Sequence, residues 1–405
     1  MKSWMKALAA ITVLGGVLYS CSKDSKMWSW MVPETKDTTT AAQVTGYVFT
    51  PALEPASAAN IQQLKVPAGF TVSKFADGVG KPRILLVSAA GNVYVSDREA
   101  GVVMMLKDAN GDGAADSKQV VATIKQAHGL AIRNNKMYIT GVREVYVADM
   151  KTDGTLGDPK MIISNLPDGG QHPNRTLAFG PDNKMYITVG STCNACKEPN
   201  TMNATIVQAN EDGSNVVVYA KGLRNTIGFG WHPQTGEMWG MDHGIDWLGD
   251  NEPPEEVNQI KQNANYGWPY IYGNGNYNPQ PRPTGDTTYL QYRNLSTFPS
   301  LTYQGHSAPM QMAFYTASKF PAEYKNDAFI AMRGSWNRSS PVGYKVVRLH
   351  FENGKPTRFD DFLTGFLVNS NKAHFARPVG VAVHTDGSLL VSDDTNGVIY
   401  RVTHS

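Results

Sequence analysis

One short module returns six times along this chain and constrains its fold more than any other feature. Each copy has an apolar strand, a turn containing Gly, Asp or Asn, and a second alternating strand. The six copies are ILLVSAAGNVYVSD (84–97), HGLAIRNNKMYIT (128–140), RTLAFGPDNKMYITVG (175–190), NTIGFGWHPQTGEMWGMD (225–242), PMQMAFYTASKFPAEYKNDAFIAMRG (309–334) and RPVGVAVHTDGSLLVSDD (377–394). Helical periodicity is scarce and no βαβ rhythm is present.

Six copies over residues 65–405 leave about 57 residues for each, enough for a four-stranded propeller blade with insertions. Most copies continue into a further strand, such as VVMMLKD, EVYVADM, VVVYAKG, YKVVRLHF and GVIYRVT. The sequence therefore predicts an all-β fold, a six-bladed β-propeller over residues 61–405. A sandwich or two tandem barrels is the alternative. The long insertions 191–212 and 243–308 are expected to form loops that shape a pocket on one face.

The composition excludes two classes of protein. Of the 405 residues, 41% are hydrophobic, which is ample for a large core and rules out a wholly disordered chain. The net charge is only +2, whereas a nucleic-acid-binding domain normally carries a strongly basic face. We therefore expect no nucleic-acid partner.

Residues 1–21 have the layout of an export signal. Two lysines precede an apolar stretch, residues 7–18, that is too short for a comfortable membrane-spanning helix. A small residue stands directly before Cys21, which resembles a bacterial lipoprotein signal and predicts a lipidated Cys21. The alternative is an ordinary secretory signal with an incidental cysteine. We expect an exported, lipid-anchored protein, periplasmic or at the cell surface, with residues 22–60 as a flexible tether.

Cys193 and Cys196 are the only other cysteines. In an oxidising compartment a disulfide between them is the leading interpretation. Haem attachment would require His directly after Cys196, where Lys197 stands, and a zinc site would require two further ligands nearby.

Histidine, arginine and asparagine side chains stand just before the first strand in the later copies. They are His128, His172, Arg175, Arg224, Asn225, His306, Arg333 and Arg377. The first strands of a propeller surround its axis, so these groups should converge at one end. Converging cations repel one another unless an anion lies among them, and arginine suits planar carboxylates. The alternative is that each group caps a strand or pairs with a local acid.

Five longer segments carry a family resemblance: GGQHPNRTLAFGPDNKMYITVG, GLRNTIGFGWHP, WGMDHGIDWLGDNEPPEEVNQI, NYGWPY and RPVGVAVHTDGSLLVSDD. They resemble the glucose/sorbosone dehydrogenase family, nearest its sorbosone dehydrogenase branch, and the resemblance covers residues 65–405. It implies an exported six-bladed propeller that oxidises a sugar-type alcohol or aldehyde with pyrroloquinoline quinone (PQQ) and Ca²⁺. It implies neither the particular sugar nor the electron acceptor.

The same resemblance implies roles for individual residues. His172, in Gly-Gly-Gln-His-Pro, is implied as the base that removes the substrate hydroxyl proton during hydride transfer to the quinone. Contacts to the cofactor are implied for His128, Arg224, Asn225, Arg333 and Arg377. Backbone carbonyls of Gly244 and Ile245 resemble ligands of the calcium ion, which polarises the quinone, and Glu255 or Glu256 falls near that loop.

A separate calcium signal lies in the first copy. Asp108, Asn110 and Asp112, followed by Gly113, have the 1, 3, 5 spacing of an EF-hand loop. The twelfth position is Gln119 rather than Glu, and no flanking helices are evident. A hairpin turn with Asn-Gly and Asp-Gly explains the segment equally well.

One departure from the family pattern bears on the substrate. Ser191 stands where the glucose-oxidising branch has an acidic residue that would orient the histidine base. This puts glucose in doubt and leaves a non-catalytic carbohydrate-binding or interaction propeller as an alternative. A calcium-dependent lactone hydrolase propeller is a further alternative, although such an enzyme requires Glu, Asp and Asn side chains on the axis, whereas this chain offers mainly Arg and His.

Aromatic residues crowd the second half of the chain. They are Trp231, Trp239, Trp247, Tyr266, Trp268, Tyr270, Tyr272 and Trp336. An aromatic wall would suit the apolar C–H faces of a sugar. Core packing is the alternative for each of them, and is favoured for Trp231 and Trp239, which lie within a repeat.

Overall fold

Six four-stranded antiparallel sheets form the framework of residues 44–405, the part of the chain that this computed structural model describes. The export signal, Cys21 and the beginning of the predicted tether lie outside the described residues. Within the described part, no helix is long and apolar enough to cross a membrane.

The residues before the first sheet pack against the folded body. Strand β1 (Ala52–Leu53) pairs in parallel with Ala373–His374. Helix α1 (Ala58–Gln62) begins after Ser57, whose Oγ accepts the Asn60 N–H at 3.2 Å. The prediction of a flexible tether is therefore corrected for residues 44–60, because their backbone groups hydrogen-bond to distant parts of the chain. Strand β2 (Phe70–Ala76) follows.

Sheets 1 to 3 follow one another in chain order. Sheet 1 contains β3 (Pro82–Val87), β4 (Val93–Asp97), β5 (Val102–Lys107) and β6 (Ser117–Thr123). Sheet 2 contains β7 (Leu130–Arg133), β8 (Lys136–Thr140), β9 (Val145–Asp149) and β10 (Lys160–Ile163). Sheet 3 contains β11 (Leu177–Phe179), β12 (Met185–Val189), β13 (Thr205–Ala209) and β14 (Val217–Lys221).

Sheets 4 and 5 carry the longer connections. Sheet 4 contains β15 (Thr226–Trp231), β16 (Met238–Asp242), β17 (Glu255–Ile260) and β20 (Leu301–Tyr303). Between its last two strands lie the hairpin β18 (Ile271–Tyr272) and β19 (Asn276–Tyr277) and helix α2 (Tyr289–Asn294). Sheet 5 contains β21 (Pro309–Phe314), β22 (Ala328–Met332), β23 (Lys345–Glu352) and β24 (Lys355–Leu363), with a 3₁₀ turn at Ala322–Tyr324.

Sheet 6 joins the two ends of the described chain. It contains β27 (Pro378–Val383), β28 (Leu389–Asp393) and β29 (Val398–His404), and its outer strand is β2. The short strands β25 (Leu367–Val368) and β26 (Ala373–His374) form a small sheet with β1. Pairing of β2 with β29 joins the two ends of the described chain in one sheet, in which β2 is the edge strand.

The six sequence modules coincide with the first two strands of the six sheets. Their second strands are the most buried: every residue of β4, β12, β16, β22 and β28 is buried. The sequence pattern misses one strand: β13, the third strand of sheet 3, lies inside the insertion 191–212, which the pattern predicts as a loop. VVVYAKG, predicted as a further strand, supplies β14, the fourth strand of that sheet.

Neighbouring sheets pack face to face, and their first strands contact one another in a closed order. β3 contacts β7, β7 contacts β11, sheet 3 contacts β15, and the series continues through β21 and β27 back to β3. Between sheets 1 and 2, for example, Ile84 and Tyr94 pack in one cluster with Leu130 and Met137. Burial of each such side chain contributes about 1.5–3 kcal/mol. The packing therefore fixes where the ends of the first strands meet.

Candidate active site

A cavity of about 490 Å³, here called the central cavity, lies where the starts of these first strands converge. Its polar lining consists of Arg83, Gln171, His172, Asn174, Asn194, Arg224, Asn225, His243, Asp246, Glu255, His306, Arg333, Asn337 and Arg377. The structure thus brings together His172, Arg224, Asn225, Arg333 and Arg377, as the sequence predicts.

His172 presents one ring nitrogen to this cavity. Its Nδ1 lies 2.9 Å from Ser191 O and 2.8 Å from Ser191 Oγ, and that hydroxyl donates to Cys193 O at 2.7 Å. Because Ser191 O can only accept, Nδ1 carries the hydrogen and Nε2 keeps its lone pair. No hydrogen bond from another described residue reaches Nε2. Burial, then the charge of Arg224, lowers the pKa of His172 to about 2, so the ring is neutral.

Arg175 lies beneath the loop that carries His172 rather than in the cavity. It is fully buried, and its guanidinium donates to the carbonyls of Val142, Pro167 and His172 at 2.9–3.1 Å. These three bonds hold the backbone of residues 167–172 in place. Arg175 is therefore a positioning residue for His172.

Arg224, also in the cavity lining, is held by two side chains. Its Nη2 donates to Asp246 Oδ2 and to Asn194 Oδ1, both at 2.9 Å, and its Nε donates to Asn194 O at 3.1 Å. Asp246 also accepts from Asn337 Nδ2 at 2.6 Å. Hydrogen bonds from Arg224 and Asn337 therefore fix the carboxylate of Asp246.

Asn225 and His243 form a second pair in the cavity. His243 donates from Nε2 to Pro309 O at 2.5 Å, so its Nδ1 accepts from Asn225 Nδ2 at 3.4 Å. This arrangement leaves Asn225 Oδ1 buried and without a partner among the described residues. Burial lowers the pKa of His243 to about 4, and the ring is neutral like that of His172.

Two arginines share one carboxylate on the side formed by sheets 1, 5 and 6, and a third arginine lies beside them. Arg83 pairs with Asp394, and Arg333 Nε lies 2.9 Å from the same oxygen. Burial alone would raise the pKa of Asp394, but Arg83 and Arg333 outweigh it and hold this pKa below its usual value. Within the part of the chain that the structure describes, Arg377 forms no ion pair, and it donates to the carbonyls of Arg333 and Gly334 at 3.1 and 2.5 Å.

The cavity therefore carries excess positive charge. Arg83, Arg224, Arg333 and Arg377 line it. Asp246 and Asp394 are the aspartates paired with them. Four guanidinium groups against these two carboxylates leave an excess of about two positive charges, which Glu255 reduces as far as it is ionised, and a bound anion would balance the rest.

The predicted cofactor contact of His128 is corrected. Its side chain has no exposed surface, it is not part of the cavity lining, and its Nδ1 lies 3.0 Å from Arg175 O. Burial and the charge of Arg83 lower the pKa of His128 well below its usual value. A position just before a first strand does not by itself direct a side chain into the cavity.

The loop after β16 contains the predicted calcium ligands. Gly244 lines the cavity, and its N–H donates to Glu255 Oε2 at 2.8 Å. The side chain of Ile245 is buried in an apolar cluster. Within residues 44–405, no backbone N–H donates to the carbonyl of Gly244 or Ile245. Burial raises the pKa of Glu255 to about 7.

Cys193 and Cys196 form a disulfide beside Ser191. Their sulfur atoms and Glu198 come close enough together to suggest a metal site, but disulfide sulfurs are not thiolate ligands. The short loop that contains this bond also supplies Cys193 O, the acceptor for the Ser191 hydroxyl. The disulfide thus lies next to the residue that orients His172.

Asp108, Asn110 and Asp112 lie in the turn between β5 and β6. Both carboxylate oxygens of Asp108 accept backbone N–H groups, those of Gly111 at 2.7 Å and Gly113 at 2.8 Å. The loop is a hairpin connection, flanked by strands rather than helices. In the described part of the chain, its acids do not form a group of three close enough to share an ion.

Trp247 and Trp336 form an aromatic wall of the central cavity. Their ring centroids are 5.4 Å apart in an edge-to-face arrangement, and Trp336 is 41% exposed. The segment 45–49 braces this wall from outside: Thr45 N–H donates to Trp247 O at 2.9 Å and Phe49 N–H donates to Trp336 O at 3.1 Å. This segment is here called the strap.

Sequence reasoning missed Arg83, His243, Asp246 and Asp394. Arg83 stands directly before ILLV in the first copy, the place that the later copies fill with Arg or His, so the repeat itself carried that signal. Asp246 and Asp394 follow the second strands of sheets 4 and 6, but their pairing with arginines from other segments has no local sequence signal.

The fold and the site define an all-β protein with an arginine-rich cavity where its sheets converge. Residues 64–405 match the model of the TrAA12-like family, and the chain belongs to that family. A protein of Borreliella burgdorferi, whose function is uncharacterized, is 33% identical over 84% of this chain and 90% of its own length.

Two further comparisons connect the fold to named enzymes. A pyrroloquinoline quinone-dependent sugar dehydrogenase of Hypocrea jecorina is 22% identical over 83% of this chain and 88% of its own length. The holo form of the pyranose dehydrogenase PQQ domain from Coprinopsis cinerea superposes with a TM-score of 0.72. It is 22% identical, and the match covers 88% of this chain and 100% of that domain. This likeness shows that the two proteins share a fold.

Proposed function

We propose that this protein is an oxidoreductase that oxidises a sugar, or a sugar-derived alcohol or aldehyde, with pyrroloquinoline quinone. The observation that carries the proposal is the open Nε2 of neutral His172 in a cavity lined by four arginines. The named relatives with this fold support it. We also infer that the six sheets are the blades of one six-bladed propeller, because their first strands contact one another in a closed order.

The residues present fit an anionic, planar quinone. The excess positive charge of the cavity suits its carboxylates, and the guanidinium forks of Arg333 and Arg377 match carboxylate geometry. Arg224, already held by Asp246, would bind at the opposite side. When bound, the cofactor supplies an electrophilic quinone that accepts hydride.

His172 supplies the proton chemistry. Its neutral Nε2 takes the hydroxyl proton of the substrate, and the carbon that bears this hydroxyl loses hydride, so a C–O single bond becomes a carbonyl. Asn225 Oδ1, buried and unpartnered, is available to accept a hydrogen bond from a second hydroxyl. Trp247 and Trp336 offer apolar faces to the C–H side of a sugar ring.

We place the calcium ion of the proposed site at the backbone carbonyls of Gly244 and Ile245. No described backbone donor occupies these oxygens, and Glu255 holds the loop through the Gly244 N–H. Oxygen ligands of this kind are the ones that Ca²⁺ prefers. A sorbosone-type substrate belongs to the same proposal, with an aldose as the other candidate.

Binding and turnover can be measured separately. Purified protein is titrated with pyrroloquinoline quinone, with and without Ca²⁺, and then assayed for dye reduction with a panel of aldoses and sorbosone. We expect stoichiometric binding and sugar-dependent reduction. R377Q should weaken cofactor binding about tenfold or more, through loss of a charge-assisted contact. Absence of binding would contradict the proposal, whereas binding without turnover would favour a carbohydrate-binding role.

We further propose that the protein is exported and held to a bacterial membrane by lipid on Cys21, with no other membrane attachment. The support is the signal-like pattern of residues 1–21. Metabolic labelling with a radioactive fatty acid should label the wild type and not C21S. Equal labelling of both would contradict the anchor.

A further inference from the structure

A second cavity, here called the side cavity, adjoins the central cavity. Its volume is about 530 Å³, and Arg83, Asn174 and Arg333 line both spaces. Asn174 lies two residues after His172 in the chain. The side cavity therefore begins close to the proposed reaction centre, but the proposed sugar oxidation does not require it.

Arg98 is the residue that distinguishes the side cavity. It follows β4 directly, lines the cavity, and makes no hydrogen bond or ion pair with any other residue in the described range 44–405. Its Nε is buried and has no partner. A partly buried guanidinium without an acid is costly, because its desolvation is not offset by pairing.

The acids next to Arg98 in the chain are committed elsewhere. Asp97 accepts the N–H of Lys81 and the N–H of Ala100, both at 2.9 Å. Glu99 pairs with Lys81 at 2.5 Å. Neither carboxylate neutralises Arg98, although both stand beside it in the sequence.

The rest of the lining adds to the positive charge. Arg83 and Arg333 share the single carboxylate of Asp394, so they contribute one net charge. Lys81 and Glu99 cancel each other. The one net charge of Arg83 and Arg333 is shared with the central cavity, so Arg98 is the uncompensated positive charge that lines the side cavity alone, and it would attract an anionic group that enters.

We propose that the side cavity binds the carboxylate of an acidic sugar, a uronic acid whose ring extends into the central cavity. The guanidinium fork of Arg98 receives the two carboxylate oxygens, and Asn174 lies between this group and the ring. Oxidation of such a sugar rests on the proposed function, whereas binding of its carboxylate does not. The same guanidinium could instead hold a carboxylate of the quinone, so the test separates these two sources.

The test compares D-galacturonate with D-galactose, which differ at the carboxylate. Binding of each sugar to cofactor-loaded protein is measured by calorimetry, and cofactor affinity is measured by a separate titration. The variants are R98Q, R98K and the control R358Q. Arg358, on the outer strand β24, has a side chain that is 55% exposed, so R358Q makes the same charge change on the surface.

We expect wild-type protein and R358Q to bind galacturonate more tightly than galactose. R98Q should lower the galacturonate affinity, relative to that for galactose, by about tenfold or more, and R98K should fall between. Equal affinities for the two sugars in the wild type would overturn the proposal. So would a loss of cofactor affinity in R98Q, because Arg98 would then serve the quinone. Calorimetry reports carboxylate binding even if no sugar is oxidised, so failure of the proposed function is recognised separately.

Discussion

Ser191 holds His172 by two contacts to one ring nitrogen, its backbone carbonyl at 2.9 Å and its hydroxyl at 2.8 Å. The sequence raised a doubt at this point, because a histidine base is usually oriented by a carboxylate. The structure shows that uncharged groups fix the tautomer instead. Nε2 is thereby directed at the cavity, but within residues 44–405 no carboxylate pairs with this ring to stabilise the imidazolium that forms when it takes a proton.

The first prediction concerns the Ser191 hydroxyl. In S191A the backbone carbonyl still accepts the Nδ1–H of His172, so the tautomer is kept. One neutral hydrogen bond contributes about 0.5–1.5 kcal/mol, and kcat should fall by less than about tenfold. Dye-reduction kinetics measure this, with S214A on the β13–β14 turn as the control. Complete loss of turnover with a normal fold would mean that the hydroxyl does more than orient the ring.

The second prediction concerns the charge state of His172. Burial, with the charge of Arg224, lowers its pKa to about 2 in the cofactor-free protein, so the ring stays neutral as the pH falls through 6.5. An anionic ligand near Arg224 should raise this pKa. NMR of the labelled imidazole should therefore show no titration between pH 5 and 8 before cofactor binding. A midpoint near 6.5 in the free protein would contradict the burial argument.

The third prediction concerns the strap. Gly46 lies against the indole of Trp247, and a Cβ at this position would overlap the ring. G46A must displace either the strap or Trp247, so KM for the sugar should rise about three- to tenfold, with cofactor affinity retained. Gly157, where a Cβ meets only Asp149 O at 3.6 Å, provides the control G157A. Unchanged KM in G46A would show that the strap does not shape the sugar site.

The fourth prediction concerns stability and pH. Burial, with the nearby charge of Asp242, raises the pKa of Glu256 to about 8. The folded state thus holds a proton that the unfolded state releases above about pH 4.5, and stability falls as pH rises from about 4.5 to 8. In E256Q the carbonyl oxygen of the new side chain still accepts the Gly273 N–H. Its NH₂ group can donate to Asn258 Oδ1, which has no partner among the described residues, once the Asn258 amide rotates.

The free energy of unfolding should therefore fall between pH 5 and pH 9 in the wild type, and by about 2–4 kcal/mol less in E256Q, with both proteins in calcium-free buffer. Urea unfolding at the two pH values measures this. E352Q, at an exposed position on β23, is the control and should follow the wild type. If E256Q and the wild type lost the same stability, Glu256 would be ionised without cost in the folded protein.

The repeat predicts much of the site, and there are physical reasons why it does not predict the rest. Because equivalent positions of a repeat converge, Arg224 and Arg377, which precede β15 and β27, could be placed together before their contacts were known. The sequence pattern places Arg333 before a first strand in the same way, but Arg333 follows β22, the second strand of sheet 5, and reaches the cavity from there. The repeat motif is a local sequence signal. The ion pairs of Asp394 have no such signal, because Asp394 is 311 positions from Arg83 and 61 positions from Arg333. The closure of sheet 6 by β2 is also a pairing of the two ends of the described chain, and no short motif encodes it.

His128 shows the limit of the same reasoning. It precedes β7 as the other groups precede their strands, but Nδ1 faces Arg175 O inside the protein. Sequence position fixes the end of the strand, while side-chain direction depends on which neighbours have space and acceptors. The strap could not be predicted either, because the polar composition of residues 22–60 is that of a tether.

A single-turnover measurement on protein loaded with pyrroloquinoline quinone and Ca²⁺ tests most directly whether His172 is the base in sugar oxidation. Mixed anaerobically with a substrate sugar, the wild type should reduce its quinone, followed by absorbance. H172Q should bind the cofactor with similar affinity and reduce it about 10²–10⁴-fold more slowly, as loss of a general base predicts. The control H384Q, at the β27–β28 turn, should behave as the wild type. Reduction by H172Q at the wild-type rate would show that His172 is not the base.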